Sequence, residues 1–414
     1  MDYLAERLNT PTVLEDHEQR MVVYSSHSAP IDEVRRDSIL RRETRQEVKD
    51  WFRQFGIVRA QQPLRIPSHP ELGILGRLCA PVRFRGRLMG FLFLIDDDQR
   101  LTEADIAIVQ DVQRHAALLL SEEELSERLR ASSLSHLLAP AAELRQAAAR
   151  QLIDEGLAAA DAVHIAVCLR LADDTVPGSP ELIREALWEL GRRRGPACPL
   201  RTVRRDHGVL LVELREPDGE EAALAAAEEA RGLLSKHLDS ARSAVGAGVP
   251  PRVIAGIGDP QPVLTSAAIS YREAVLAARV AAAVPSVGEV ARWRELGAFR
   301  ALVQLPPGEA AASCLDPRLV TLLRAEPDLL RTVESYLDSG GDAKRTSEQL
   351  HLHRATLYYR LGKAERLTGA DLRDGQDRLA LHLGLKLARL TGRYPPEAEV
   401  SAGAGVGAAD TRPA

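Results

Sequence analysis

A helical pattern of apolar residues that breaks at two consecutive glycines, and then resumes twice, constrains the C-terminal part of this chain more than any other feature. Residues 327–367 read PDLLRTVESYLDSGGDAKRTSEQLHLHRATLYYRLGKAERL. Leu329, Leu330, Val333 and Leu337 recur at helical spacing and predict a first helix that stops at Ser339, Gly340 and Gly341, where glycine tolerates the backbone excursion. Asp342 is placed to cap a short second helix, Ala343 to Leu350, through its carboxylate. Leu352 falls in a tight turn before a third helix from about Arg354 to Arg366, whose inward stripe is Leu357, Leu361 and Ala364. A short helix, a brief turn and a longer helix form the arrangement that lodges the longer one in a DNA major groove.

The outward surface of that third helix presents Ala355, Tyr359, Gly362 and Arg366, with Thr356, Arg360 and Lys363 on one flank and Tyr358 on the other. His353 and Arg354 open the helix, the part best able to meet base edges. Arg360 and Lys363, with Lys344 and Arg345 of the second helix, suit phosphate contacts, which hold register but carry little sequence preference. The expected partner is double-stranded DNA. From Val320 to Leu390 there are 12 Lys or Arg against 10 Asp or Glu, a local +2, while the rest of a chain of net charge -5 carries -7. A basic module on an acidic body fits a protein that touches phosphates with one face only. A bundle whose arginines are merely solvated satisfies the same spacing. His351 and His353 have no nearby cysteine or well-placed acidic group to complete a metal site, so no metal and no cofactor are expected.

The 414 residues are too many for one core and imply several domains. Cys79, Cys168, Cys198 and Cys314 are far apart and read as buried thiols. The N-terminal MDYLAERLNT is not a signal peptide, and the apolar run Leu88–Ile95 is too short to cross a bilayer, so a cytoplasmic protein without membrane contact is expected.

Residues 1–120 read as an α/β sensor-like domain. Short strands at Thr12–Leu14 and Met21–Tyr24 precede a helix over Arg45–Phe52, and Leu78–Phe84 and Leu88–Ile95 flank Arg85–Gly86–Arg87 as a β-hairpin. Tyr24, Trp51, Phe52, Phe84, Phe91 and Phe93 are the candidate lining of a ligand cavity, although such aromatics also fill ordinary cores. Arg83, Arg85 and Arg87 alternate along the hairpin, facing either an anion or solvent. Thr102 caps a long helix that continues through a connecting segment, 121–138, where Leu118, Glu122, Leu125, Leu129 and Ser132 form a narrow seam for a second chain or for packing within this one. Residues 139–300 alternate strands (Val163–Leu169, Gly208–Leu214, Val253–Gly258) with alanine-rich helices (Pro180–Arg192, Glu220–Leu238, Val263–Ala283), which suits a ferredoxin-like sheet with helices on one side. The all-α module, 315–392, ends with a helix over Gln376–Leu390 whose inward face is read as Leu379, Leu383 and Leu387, extended by Leu381 and Leu385. A flexible tail, 393–414, follows.

The stretch from Tyr336 to about Leu390 resembles the C-terminal helix-turn-helix of the PucR and CdaR (sugar-diacid regulator) type of bacterial transcription factor: it has the double glycine, an HxHRxTLxYRL core, the LTG turn and a DRLAL helix. Asp342 stands where that family has asparagine and keeps the capping role. Ala355 replaces a common asparagine and Tyr358 an arginine, which bears on which operator is read. Residues 251–282, with GIG before a helix bearing SYREA (Ser270–Ala274), resemble the central region of such regulators, similar in fold to GGDEF nucleotide cyclases. Residues 2–120 resemble a GAF-type sensor. The resemblance implies a multidomain α+β regulator that is not an enzyme, a homodimer or higher homo-oligomer, control by a small-molecule effector or metabolic signal, and RNA polymerase among its partners. The alternatives are a non-catalytic signalling or interaction scaffold and a nucleotide cyclase-like enzyme, but the GGDEF sequence itself is absent and fold likeness confers no chemistry.

Overall fold

Arg85 and Gly86 both adopt positive φ, 50° and 84°, the conformation that a two-residue hairpin turn requires, and they join the two longest strands of the N-terminal unit. The computed structural model describes residues 1–26, 31–41, 44–173, 175–195, 198–214, 220–243, 251–305 and 315–394. It divides into two units, Met1–Leu129 and Arg130–Ala414.

In the first unit, helix α1 (Asp2–Leu8) leads to β1 (Thr12–Asp16), β2 (Met21–Tyr24), α2 (Glu33–Arg41), α3 (Gln46–Gln54), β3 (Leu64–Ile66), β4 (Arg77–Phe84) and β5 (Arg87–Ile95). The strands form one antiparallel sheet in the order β2-β1-β5-β4-β3. Side chains alternate across it. Leu78, Ala80, Val82, Leu92 and Leu94 meet Leu4 and Leu8 of α1 and Val109, Ala116 and Ala117 of the long helix α4 (Glu103–Leu137). Val13, Cys79, Phe91 and Phe93 face the other way, beneath Val34 of α2 and Val48 and Phe52 of α3. Thr102 caps α4 as expected, in a reciprocal pair: its Oγ1 accepts from Asp105 N at 3.3 Å, and Asp105 Oδ2 accepts from Thr102 N at 2.9 Å.

The second unit opens with α5 (Ala142–Asp154), β6 (Val163–Leu171), α6 (Ser179–Arg194), β7 (Leu200–Val203), β8 (His207–Leu214), α7 (Glu220–Ser243), β9 (Val253–Ile257), α8 (Ala267–Ala283), β10 (Val290–Arg292) and the short α9 (Phe299–Leu302). Its sheet runs β10-β9-β6-β8-β7, with β10 and β9 parallel and the other pairs antiparallel. Helices cover both faces rather than one. Strand β6 is apolar at nearly every position, so Ile165, Val167 and Leu169 pack beneath α6 and α7 while Ala166 and Cys168 pack beneath α5 and α8. Gly256 and Gly258 set the distance of α8 from β9: a Cβ at Gly256 would lie 2.1 Å from the Ala274 carbonyl oxygen, and one at Gly258 2.0 Å from that of Ser270.

Among the described residues five helices follow: α10 (Pro317–Leu323), α11 (Pro327–Asp338), α12 (Ala343–Gln349), α13 (Arg354–Thr368) and α14 (Gly375–Leu390). Leu319, Leu322, Leu329, Leu330, Val333, Leu357, Leu361, Leu381 and Leu385 share their core. The inward face of α14 is Leu381, Gly384, Leu385 and Ala388, with Leu387 also buried, whereas Leu379 and Leu383 are exposed, contrary to the expected stripe. Gly384 explains the choice, since Leu319 of α10 occupies the space a side chain there would need.

Cys79 and Cys168 are buried free thiols, and burial pushes Cys168 up to about 12 and Cys79 well above its usual value. Cys198 is half-buried, and its sulfur accepts from the Arg201 guanidinium at 3.1 Å. Cys314 and the expected tail from Pro395 onward lie outside the described residues. Among the described residues, no helix is long and apolar enough to cross a membrane, and no group of three or more His, Cys, Asp or Glu side chains is arranged to hold a metal ion.

Candidate nucleic-acid interface

The turn between α12 and α13 is held from both ends. Gly340 and Gly341 carry φ of 70° and 85° after α11, and Asp342 Oδ1 then accepts from Lys344 N at 2.8 Å and Arg345 N at 3.0 Å, capping α12. These bonds hold the Asp342 carboxyl below its ordinary value. After α12, His351 takes a left-handed φ of 52°, and Leu352 N donates to Ser347 O at 2.9 Å. His353 caps α13: its ring Nδ1 accepts from Ala355 N at 3.3 Å. The imidazole is thereby partly committed to the turn instead of projecting freely as a base reader.

Leu357, Leu361 and Ala364 are buried, as the sequence pattern requires. This orients α13 so that Arg354, Ala355, Thr356, Tyr358 and Tyr359 are exposed, the two tyrosines at 61% and 65%, with Lys344 and Arg345 of α12 exposed beside them. The sequence-expected set divides at this point. Arg360 donates to Asp328 Oδ2 at 2.9 Å and to Thr332 Oγ1 at 3.1 Å, and Lys363 Nζ donates to Glu326 Oε1 at 2.8 Å. Both are half-buried and brace α13 against the start of α11. Their partners Glu326, Asp328 and Thr332 were not legible as part of the site, because nothing in the local pattern brings residues more than twenty positions away onto this helix. Of the cationic residues expected to touch DNA, Lys344, Arg345 and Arg354, at α12 and the first turn of α13, are the exposed ones.

In the N-terminal unit the six candidate aromatics do not converge. Phe52, Phe91 and Phe93 are buried on the α2/α3 side of the sheet and Trp51 packs against the same core, Phe84 packs on the α1/α4 side, and Tyr24 is exposed. The three hairpin arginines are engaged separately: Arg83 donates to the carbonyls of Ala60, Gly86 and Val58, Arg85 lies over the Phe84 ring, and Arg87 pairs with Glu124 at 2.6 Å.

That unit buries polar groups the aromatic pattern did not reveal. Glu15 of β1 shares the sheet face of Val13 and lies opposite Phe91 in register. Its Oε1 accepts from Thr44 Oγ1 at 2.9 Å, while its Oε2 is buried with no partner among the described residues. Burial raises the Glu15 carboxyl to about 7, although the Thr44 bond and the charges of Arg35 and Arg77 oppose that rise. Asp32 accepts from Arg35 N at 2.7 Å, from Leu75 N at 3.0 Å and from the Arg77 guanidinium. Arg35 and Arg77 are both buried, which lowers them from the ordinary arginine value, Arg35 to about 10.

Comparison with known proteins agrees with this architecture. The PucR C-terminal helix-turn-helix domain matches residues 329–387, a GGDEF-like domain residues 156–280 and a GAF domain residues 13–120. The proline-responsive transcriptional activator PutR of Bacillus subtilis is 22% identical over 408 residues, covering 94% of this chain and 95% of that protein. The purine catabolism regulatory protein of the same organism is 33% identical over 92 residues, 22% of this chain and 17% of that protein. A solved regulator of polyketide synthase expression from Bifidobacterium adolescentis aligns at 19% identity and a TM-score of 0.25, over 64% of this chain and 98% of that one.

Proposed function

We propose how a signal reaches DNA in this chain, which is a DNA-binding transcriptional regulator of the PucR type with GAF and GGDEF-like domains ahead of its helix-turn-helix. The observation that carries the reading is the orientation of α13: with Leu357, Leu361 and Ala364 buried, Arg354, Ala355, Thr356, Tyr358 and Tyr359 stand outward beside Lys344 and Arg345. Arg354 is the base reader, because a guanidinium at the helix start suits the paired acceptors of guanine in the major groove. The exposed tyrosines contribute apolar contact and hydroxyl bonds. Lys344 and Arg345 hold phosphates. Arg360 and Lys363, already paired with carboxylates, position α13 instead of touching the duplex directly.

One such module makes few contacts, so two copies act on a repeated or palindromic site. Leu118, Leu125 and Leu129 of α4 are exposed and lie close to heptad spacing, which supports a second copy of this chain as their partner. The GAF unit receives a small-molecule or metabolic signal; PutR, the relative that spans almost the whole chain, is named for its response to proline. The GGDEF-like domain transmits without chemistry of its own, and the protein works on DNA in the cytoplasm.

The test is selection of genomic fragments by the purified full-length protein at fixed salt, sequenced beside R354A and K344A. Discrete sites enriched by the native chain, shifted in sequence by R354A and weakened without a shift by K344A, are the expected result. Equal loss on every sequence for both variants overturns the division of roles. Nucleotide turnover by the pure protein overturns the non-catalytic reading of the central domain.

A further inference from the structure

Asp32 is engaged by three donors, one of them the Arg77 guanidinium, and beside this ion pair a buried guanidinium and a buried carboxyl lie near enough to attract each other. One is Arg35, only 3% exposed, whose guanidinium makes a single long bond, 3.4 Å, to the Phe93 carbonyl oxygen among the described residues. The other is Glu15, 4% exposed, held by Thr44 through one oxygen and bare at Oε2. Beside them Gln19, 3% exposed, has a side-chain amide Nε2 with no partner among the described residues, and its backbone carbonyl accepts from the backbone N of the same Thr44 at 3.2 Å. Buried donors and acceptors are almost always satisfied, and a charged group left short of partners is more costly still. The unmet capacity has a definite chemistry. Arg35 and Gln19 offer donors to an anionic oxygen, and Glu15 Oε2 offers an acceptor to a cationic amine.

We infer that the α2/α3 face of the N-terminal sheet is a binding site for a small zwitterion of the α-amino acid class, its carboxylate met by Arg35 and Gln19 and its ammonium by Glu15. A simple carboxylate satisfies the first pair but leaves Glu15 bare. A simple amine does the reverse. Only a molecule with both groups a few bonds apart answers the whole set, and the apolar residues Phe91 and Phe93 on the same face suit an aliphatic rather than a charged side chain. The ammonium also returns Glu15 to its ionised form, so that binding at neutral pH releases a proton. This inference rests on the reading of the GAF unit as the receiver of the signal.

The experiment uses the full-length chain and three sets of probes: the twenty common L-amino acids, acetate and succinate, and propylamine and putrescine. Each is screened by thermal shift up to millimolar concentration, and binders are titrated calorimetrically in two buffers of different ionisation enthalpy. The expected result is saturable binding of at least one aliphatic amino acid, with proton release at pH 7 and with the affinity of its N-acetyl and amide forms down by about tenfold or more. E15Q, which keeps size and removes the titration, abolishes the proton release and weakens binding by a similar factor. R35K, folded as judged by its circular dichroism, weakens it as well. If carboxylates or amines bind and no amino acid does, the zwitterion inference falls while the GAF unit remains a receiver. If none of the three sets binds, both fall. Amino acid binding that E15Q and R35K leave unchanged places the ligand elsewhere and removes this site.

Discussion

Glu334 and Arg389 meet in a two-pronged ion pair, Nε to Oε1 and Nη2 to Oε2 both at 2.6 Å, that fastens α11 to α14. Tyr394 OH donates to the same carboxylate at 2.7 Å, and the Arg389 guanidinium lies 3.8 Å from the centre of the Tyr394 ring. Glu334 is buried and takes bonds from Arg389, Lys386 and Tyr394, and the usual cost of removing one member of such a buried set is about 3–5 kcal/mol. E334A is expected to lower the melting temperature of the helix-turn-helix transition and to weaken binding to every operator alike, read by calorimetry and by titration of two unrelated sites.

The same residue fixes the response of the module to acid. Burial works to raise the Glu334 carboxyl, but the bonds from Arg389 and Tyr394 and the charges of Arg389 and Lys386 outweigh it and hold it below the ordinary carboxylate value. A depressed carboxylate stabilises the fold above its unfolded pKa, and that contribution disappears as pH falls through the folded value. Stability of the C-terminal helices should drop below about pH 4.5, and an acid titration of native protein and E334Q, followed by hydrogen exchange of α11 and α14, should show the native chain losing its advantage there. An advantage unchanged down to pH 2 would contradict this account.

Glu15 predicts the opposite slope in the other unit. Its carboxyl is raised to about 7, so the folded state holds a proton that the unfolded state releases at lower pH. Stability from this group is full below the ordinary glutamate value and declines as pH rises from there through about 7. The change is on the order of 2–3 kcal/mol across that window. Thermal melts of the native chain and E15Q between pH 5 and 8 should converge at the acid end and separate in favour of E15Q at the neutral end.

Gly256 lies so close to α8 that a methyl group has nowhere to go: its nearest neighbours are backbone atoms of Ala274 and Ala278, which cannot turn aside as a side chain can. G256A should destabilise the central sheet by roughly 1–3 kcal/mol, and G256V should prevent soluble expression. An unaltered unfolding midpoint for G256A would mean that α8 stands farther from β9 than described.

Within the DNA-facing set, salt dependence separates roles that affinity alone merges. K344A should reduce the slope of log affinity against log salt by about one phosphate contact. R354A should cost about 1–3 kcal/mol at the preferred site and relax discrimination there. R360A should leave the slope unchanged while lowering thermal stability, because Arg360 serves Asp328 and Thr332 within the protein.

Much of this was legible in the sequence where a single element carries the signal. The Arg85–Gly86 turn, the Thr102 cap, the Asp342 cap and the buried stripe Leu357, Leu361 and Ala364 all depend on residues within one turn or one helix. What escaped depends on pairs brought together by the tertiary fold. The inward face of α14 was misread because its leucines fill several rows, and only Leu319 pressing on Gly384 decides among them. The aromatic residues of the first unit suggested a cavity because they recur, yet alternation along β4 and β5 sends Phe84 to one side of the sheet and Phe91 and Phe93 to the other. Glu15 gave no warning at all, being one carboxylate in an acidic run, LEDHE, just past the expected strand Thr12–Leu14, and its burial follows only from the strand pairing.

The anchoring of Arg360 and Lys363 to the start of α11 has an evolutionary consequence. The far half of α13 is committed to holding its own domain together, while positions 354 to 359 carry mostly outward side chains with little structural duty. Apart from the buried Leu357, substitution there is nearly free of folding cost, and substitution a turn later is not. New operator preferences can therefore arise among descendants of this protein by changes confined to the first turn and a half of one helix, with the scaffold behind it left intact.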